Sequence, residues 1–224
     1  MPIPTPRIKQ NVEDQLYWDS RIDESNVTVE VTDRKVTLIG SVPTYTAKQA
    51  AETDAWVVPG VVSVKNQIAV KYPSAVSVPT DDEIGANIKN VFIWNPVIDE
   101  TDINVNVTAG IVTLKGTVDS FWKKKRAEEL ALDMRGVLDV TNELSVVPTK
   151  GFVDESIAKD IISALERNVN VNVDNIDVEV KEGIVTLTGT VPNWYGFLAA
   201  HDAALYTPGV VDVENYLTVK EAIA

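Results

Sequence analysis

The sequence predicts an α+β protein built as three tandem αββαβ modules, each a small three-stranded mixed sheet with two helices packed on one face. Three observations predict it. Segments 27–45 (VTVEVTDRKVTLIGSVPTY), 103–121 (INVNVTAGIVTLKGTVDSF) and 176–194 (IDVEVKEGIVTLTGTVPNW) align without gaps. Landmarks within and beyond those segments recur at the same offsets, 76 and then 73: Gly40, Gly116 and Gly189; Gly60, Gly136 and Gly209; Asn66, Asn142 and Asn215. Within each copy the apolar period changes from helix-like to strand-like and back. Self-similarity at a fixed period marks repeated supersecondary units, each a candidate folding module.

Each copy opens with a helix. In copy two, Ile84, Ile88, Val91 and Phe92 fall on one face of a 3.6-residue period. Copy three repeats this with Ile157, Ile161, Ala164 and Leu165, and copy one with Ile8, Val12 and Leu16. Asp81 and Asp82, and Asp154, stand where an N-cap and favourable first-turn charge are expected; copy one offers Pro4 and Thr5 instead. Two alternating runs follow. Ile103, Val105 and Val107 alternate with polar residues, and Val112, Leu114, Gly116 and Val118 share one face of the next run. The turn between them is Ala109-Gly110 or Glu182-Gly183, where glycine takes positive φ freely. Copy one has Asp33-Arg34 there: a left-handed Arg34 costs on the order of 1 kcal/mol, or the turn is of another type.

The second helix is alanine-rich: Ala47, Ala50, Ala51 and Ala55 in copy one, Ala127 and Ala131 in copy two, Ala200, Ala203 and Ala204 in copy three. Small residues let it lie close on the sheet. Gly60, Gly136 and Gly209 are expected to end it as C′ glycines. Together with Gly40, Gly110, Gly116, Gly183 and Gly189 they are expected to be structural. A last alternating strand completes the unit. The tight turn makes the first two strands antiparallel, and the strand–helix–strand crossover makes the third parallel to the second. Proline-bearing linkers at 71–80 and 147–153 place the modules at 1–72, 79–148 and 152–221.

The run Gly110 to Val118 followed by Gly136 to Val146, repeated at Gly183 to Val191 and Gly209 to Val219, resembles the BON domain family. The resemblance covers nearly the whole chain three times; copy one departs from the pattern at Arg34. It implies small bacterial binding modules, found in periplasmic osmotic-stress proteins and in lipid-interacting outer-membrane lipoproteins. It implies binding, commonly to phospholipid or envelope surfaces, and carries no catalytic motif.

Composition narrows the chemistry. The 224 residues contain no cysteine and one histidine, His201, so thiol catalysis, thiolate metal sites and multi-histidine sites are excluded. No metal site and no cofactor are expected, because the carboxylates lack ligand spacing. No nucleophile, base and orienter set is evident, so an enzyme is not expected. The net charge of −13 disfavours nucleic acid as a partner. No run reaches the length of a spanning helix. The N-terminus shows no secretory leader, so the chain reads as cytoplasmic if complete and periplasmic if a leader was removed.

One feature suggests a contact surface. At the entry to the second helix each copy places aromatics: Tyr45; Phe121 and Trp122; Trp194 and Tyr195. In copy two Lys123, Lys124, Lys125 and Arg126 follow directly, four of the seven cations between residues 77 and 148, a stretch with twelve carboxylates. Aromatic and basic residues at one spot suit an interfacial membrane contact or a polyanion; the plainer alternative is that the rings cover a core rim and the lysines keep the surface soluble. His201 is expected to be a solvated helix residue, since Glu52 and Glu128 occupy its position in the other copies. Trp18 and Trp94 are expected at core rims, Trp94 under the Asn95-Pro96 turn. The expected function is a non-enzymatic binding or adaptor protein of stress or envelope type, with phospholipid or an envelope component as partner. The alternative is a structural or self-associating scaffold with protein partners.

Overall fold

In the computed structural model, residues 3–73 and 77–220 are described; the expected boundaries at residues 1 and 221, and positions 74–76 of the first linker, lie outside them. Module one runs α1 (Thr5–Trp18), β1 (Val27–Thr32), β2 (Lys35–Val42), α2 (Tyr45–Val57) and β3 (Ser63–Val70). Module two runs α3 (Asp81–Trp94), β4 (Ile103–Thr108), β5 (Ile111–Val118), α4 (Phe121–Leu132) and β6 (Asp139–Val146). Module three runs α5 (Asp154–Glu166), β7 (Ile176–Lys181), β8 (Ile184–Val191), α6 (Trp194–Leu205), β9 (Asp212–Asn215) and β10 (Thr218–Val219).

Each sheet has the expected topology. β1 pairs antiparallel with β2, with Val29 opposite Leu38, and β2 pairs parallel with β3, with Leu38 opposite Asn66. Modules two and three repeat these registers at Val105–Leu114–Asn142 and Val178–Leu187–Asn215. β9 and β10 are one interrupted strand along β8. The first helix of each module buries the residues its period picks out: Ile8, Val12 and Leu16; Ile84, Ile88 and Phe92; Ile157, Ile161 and Leu165. Val112 and Leu114, with their counterparts, meet them from the sheet. The opposite sheet faces are polar; Lys115 and Glu143 pair across one of them at 3.1 Å.

Two local expectations are corrected, and the open alternative at the copy-one turn is decided. Thr80, not an aspartate, caps α3, in a reciprocal box with Glu83. Asp81 and Asp154 are the first helical residues, and their carboxylates reach across to the hairpin turn. Asp81 accepts from the N–H groups of Ala109 and Gly110 at 2.7 and 2.9 Å, and Asp154 from those of Glu182 and Gly183 at 2.8 and 3.0 Å. The copy-one turn keeps the left-handed form, with φ of 49° at Asp33 and 66° at Arg34. Thr5 stands where the other modules have aspartate, and Arg34 holds this turn instead, its Nε donating to the Gly60 carbonyl at 2.8 Å.

The glycines at 60, 136 and 209 do not end the helices, which stop earlier, at Val57, Leu132 and Leu205. They sit third in a turn closed by Val61 N–H to the Val58 carbonyl and its counterparts, with φ between 91° and 99°. Pro59-Gly60 and Pro208-Gly209 are the residue pair that a type II turn requires. Gly116, opposite the buried Ile103, is itself exposed; with φ of +130°, a Cβ there would run into the Asp102 carbonyl.

Candidate functional site

The aromatic residues at the helix entries hold equivalent places: Tyr45, Phe121 and Trp194 are the first residues of α2, α4 and α6. Each reaches out of its own module. Tyr45 packs against the core of module two. Phe121 is 3% exposed and belongs to the core of module three. Trp194 stacks on Trp56 of module one, centroids 4.5 Å apart and planes 10° apart, with Phe197 stacked on both rings. Trp56 rests on the core of module one, at the position that Leu132 and Leu205 hold in the other two. The contacts therefore run from one to two, from two to three, and from three back to one. Polar contacts add to the first seam: Thr46 Oγ1 donates to Asp133 at 3.2 Å, and Gly136 N–H donates to Tyr72 Oη at 2.8 Å. An apolar cleft of about 400 Å³ remains there beside Tyr45, Tyr72 and Leu132. Burial, with the carboxylates of Glu128 and Glu52 nearby, raises the Tyr45 hydroxyl above the usual phenol pKa.

The basic turn of α4 is largely neutralised by its neighbours. Lys123 Nζ lies 2.7 Å from Asp119, Lys125 Nζ 3.5 Å from Glu128, and Arg126 3.0 Å from Glu129. Lys123 also sits 5.9 Å from the Trp122 ring centre, and Lys125 5.9 Å from that of Phe121. Lys124 is half-buried, and its carbonyl accepts from Asn142 at 2.9 Å. The nine contact candidates are therefore divided. Trp122 and the four cations lie along the first two turns of α4, Tyr45 is committed to the first seam, Phe121 to the second, and Trp194 to the third. Tyr195 beside it is 57% exposed.

The repeated asparagine has a role that the sequence showed only as a landmark. Asn66 Nδ2 donates to the Lys48 carbonyl and to Glu52, while its Oδ1 accepts from Ile68 N–H. Asn142 does the same with Lys124, Glu128 and Leu144. In module three His201 replaces the glutamate, and the buried Asn215 Nδ2 has no hydrogen-bond partner among the described residues. His201 is half-buried rather than solvated: burial lowers its pKa from the usual 6.5, Lys125 lowers it further, and Asp202 opposes them. Asp54 is a further buried polar residue. It is 7% exposed, accepts weakly from Gln15 at 3.4 Å, and burial raises its pKa. Arg21 meanwhile holds the neighbouring Asp19 down to about 2.

The family model for the BON domain matches residues 5–72, 80–148 and 153–221. The chain belongs to the BON domain family. It is 30% identical over 140 residues to osmotically-inducible protein Y of Escherichia coli, covering 61% of this chain and 70% of that protein. It is 28% identical over 142 residues to a 21 kDa hemolysin of Actinobacillus pleuropneumoniae, covering 62% and 73% respectively. Among solved structures it matches CdsD, a structural protein of the type III secretion system of Chlamydia trachomatis, at 16% identity and a TM-score of 0.26, covering 93% of this chain and 90% of that one.

The most accessible aromatics of the BON modules are ones that the sequence reading placed at core rims. Trp18 is 79% exposed and Trp94 85% exposed, each at the end of its module's first helix. Tyr17 and Ile93 beside them are exposed too, and Tyr17 meets Trp18 edge-on at 6.0 Å. Helix geometry could have found them. Trp94 lies two residues past the buried Phe92, and two steps of about 100° carry it to the opposite side of the helix. Trp18 stands in the same relation to Leu16. Among the described residues no helix is long and apolar enough to cross a membrane.

Proposed function

We propose that this BON protein is a non-enzymatic, stress- or envelope-related binding protein that rests on phospholipid surfaces through Trp18 and Trp94. The exposure of these two indoles at equivalent helix ends carries the reading. Indole suits a bilayer interface, where an apolar ring and an N–H donor are both satisfied. The seams bury Phe121 and engage Tyr45 and Trp194, so the contact moves from those rings to the helix ends. The basic turn of α4 is a secondary contributor: a lysine near an anionic surface gives about 1 kcal/mol, and three of these four cations already face carboxylates. The names of the relatives, one for osmotic induction and one for hemolysis, support the stress and envelope side.

Co-sedimentation with neutral and anionic vesicles at low and high salt tests this. The wild type is expected to bind both, anionic vesicles better. Trp18→Ser with Trp94→Ser should weaken binding about tenfold, a loss near 1.4 kcal/mol. Lys123→Glu with Lys124→Glu and Lys125→Glu should mainly reduce the anionic preference. A wild type that binds neither vesicle, or a double variant that binds as well as wild type, would sink the reading.

A further inference from the structure

The three seams share one geometry and differ in how they are tied. The first two join modules that a linker also joins, and the second buries Phe121 completely enough to make it core. No linker joins module three to module one; what meets there is ring against ring, Trp194 and Phe197 on Trp56. All three of these residues are half-buried, not buried. Tyr195 and Leu198, on the same helix, are 57% and 41% exposed.

We propose that this third seam is a latch, and that in the opened chain it closes on a second copy. The contact is heterologous: a donor edge on α6 meets an acceptor ring on α2, two different surfaces of one chain. A heterologous contact forms within one molecule when the chain can close, and between molecules when it does not. The same Trp194–Trp56 stack would then join module three of one copy to module one of the next, with no new surface required. The proposal is independent of lipid binding. Within one molecule the two edges meet at an effective concentration on the order of millimolar, so wild-type protein at micromolar concentration stays closed and monomeric.

The intramolecular competitor can be removed. Trp56→Ala disables the acceptor, and Trp194→Ala the donor; neither ring is among the fully buried core side chains. Each variant alone should remain a monomer of 24.5 kDa with wild-type helix and strand content and an increased radius of gyration by small-angle scattering. Mixed, they retain one intact donor and one intact acceptor, and light scattering up to roughly millimolar protein should show the mass doubling. Wild type refolded from urea at that concentration should yield a dimer fraction that reverts to monomer on dilution. Variants that keep the wild-type radius would overturn the latch. Expanded variants whose mixture stays at monomer mass, or a wild type that refolds at high concentration to monomer alone, would overturn the exchange.

Discussion

Asn215 and His201 show how one substitution within a repeat leaves a mark on stability. In modules one and two the asparagine amide is satisfied by a backbone carbonyl and a glutamate; in module three the glutamate is His201, and the amide nitrogen has no hydrogen-bond partner among the described residues. An unsatisfied buried donor costs about 1–3 kcal/mol. His201→Glu should therefore stabilise module three by roughly 1 kcal/mol, read as a higher melting temperature at neutral pH. The wild type carries a pH signature of its own. The folded state holds His201 below its ordinary pKa, so the unfolded chain takes up the proton first. The stability from the neutral ring is complete above pH 6.5 and is lost as pH falls from 6.5 through the lowered folded value. Asp202, raised by burial, works the other way at more acidic pH. Denaturant titrations between pH 7.5 and 5.5 should show this loss in wild type and not in His201→Gln. Equal slopes for the two would mean that His201 titrates normally.

Among the secondary-structure elements, most of the fold was legible. Strand order, direction and module number follow from period two, tight turns and one crossover, each repeated three times. What escaped was the tertiary role of residues whose local role was plausible. Asp81 and Asp154 look like helix caps, and their type and position suit one. The nearby hairpin turn presents two bare N–H groups, and a carboxylate accepting two such bonds gains more than it would at a cap. Charge-assisted hydrogen bonds of this kind contribute about 1.5–3 kcal/mol each before allowance for solvent exposure. Asp154→Ala should destabilise module three by about 2 kcal/mol, whereas Asp82→Ala, one residue further along α3 in module two, should change little. Chemical denaturation distinguishes the two. Hydrogen exchange at the Glu182 and Gly183 amides should accelerate in Asp154→Ala alone. The helix-end tryptophans escaped for a different reason: a large aromatic at a helix end is usually packed, and only angular bookkeeping around the helix places Trp18 and Trp94 outside.

For the whole molecule, no sequence signal distinguished a ring that covers its own module from one inserted into the next. Phe121 and Tyr45 sit at helix starts in the same pattern either way. That ambiguity has a measurable resolution, because Phe121 is encoded in module two and buried in module three. Removing a buried phenylalanine costs about 3–5 kcal/mol. Phe121→Ala should lower hydrogen-exchange protection in α5 and α6 more than in α3 and β4. Loss confined to module two would contradict the interlock.

The closed succession of contacts also answers a problem of end effects. A linear stack of repeats has a first and a last unit, each with one apolar face that lacks a neighbour, and such arrays require specialised polar terminal repeats to remain dispersed in water. Here modules one and three shield one another, with Trp56 and Trp194 as the facing pair. Copy number then becomes a fixed property of the circuit. Deleting module two would leave Tyr45 without its acceptor and Phe121's place in module three vacant, and a fourth copy inserted between two and three would have to fit a circuit dimensioned for three.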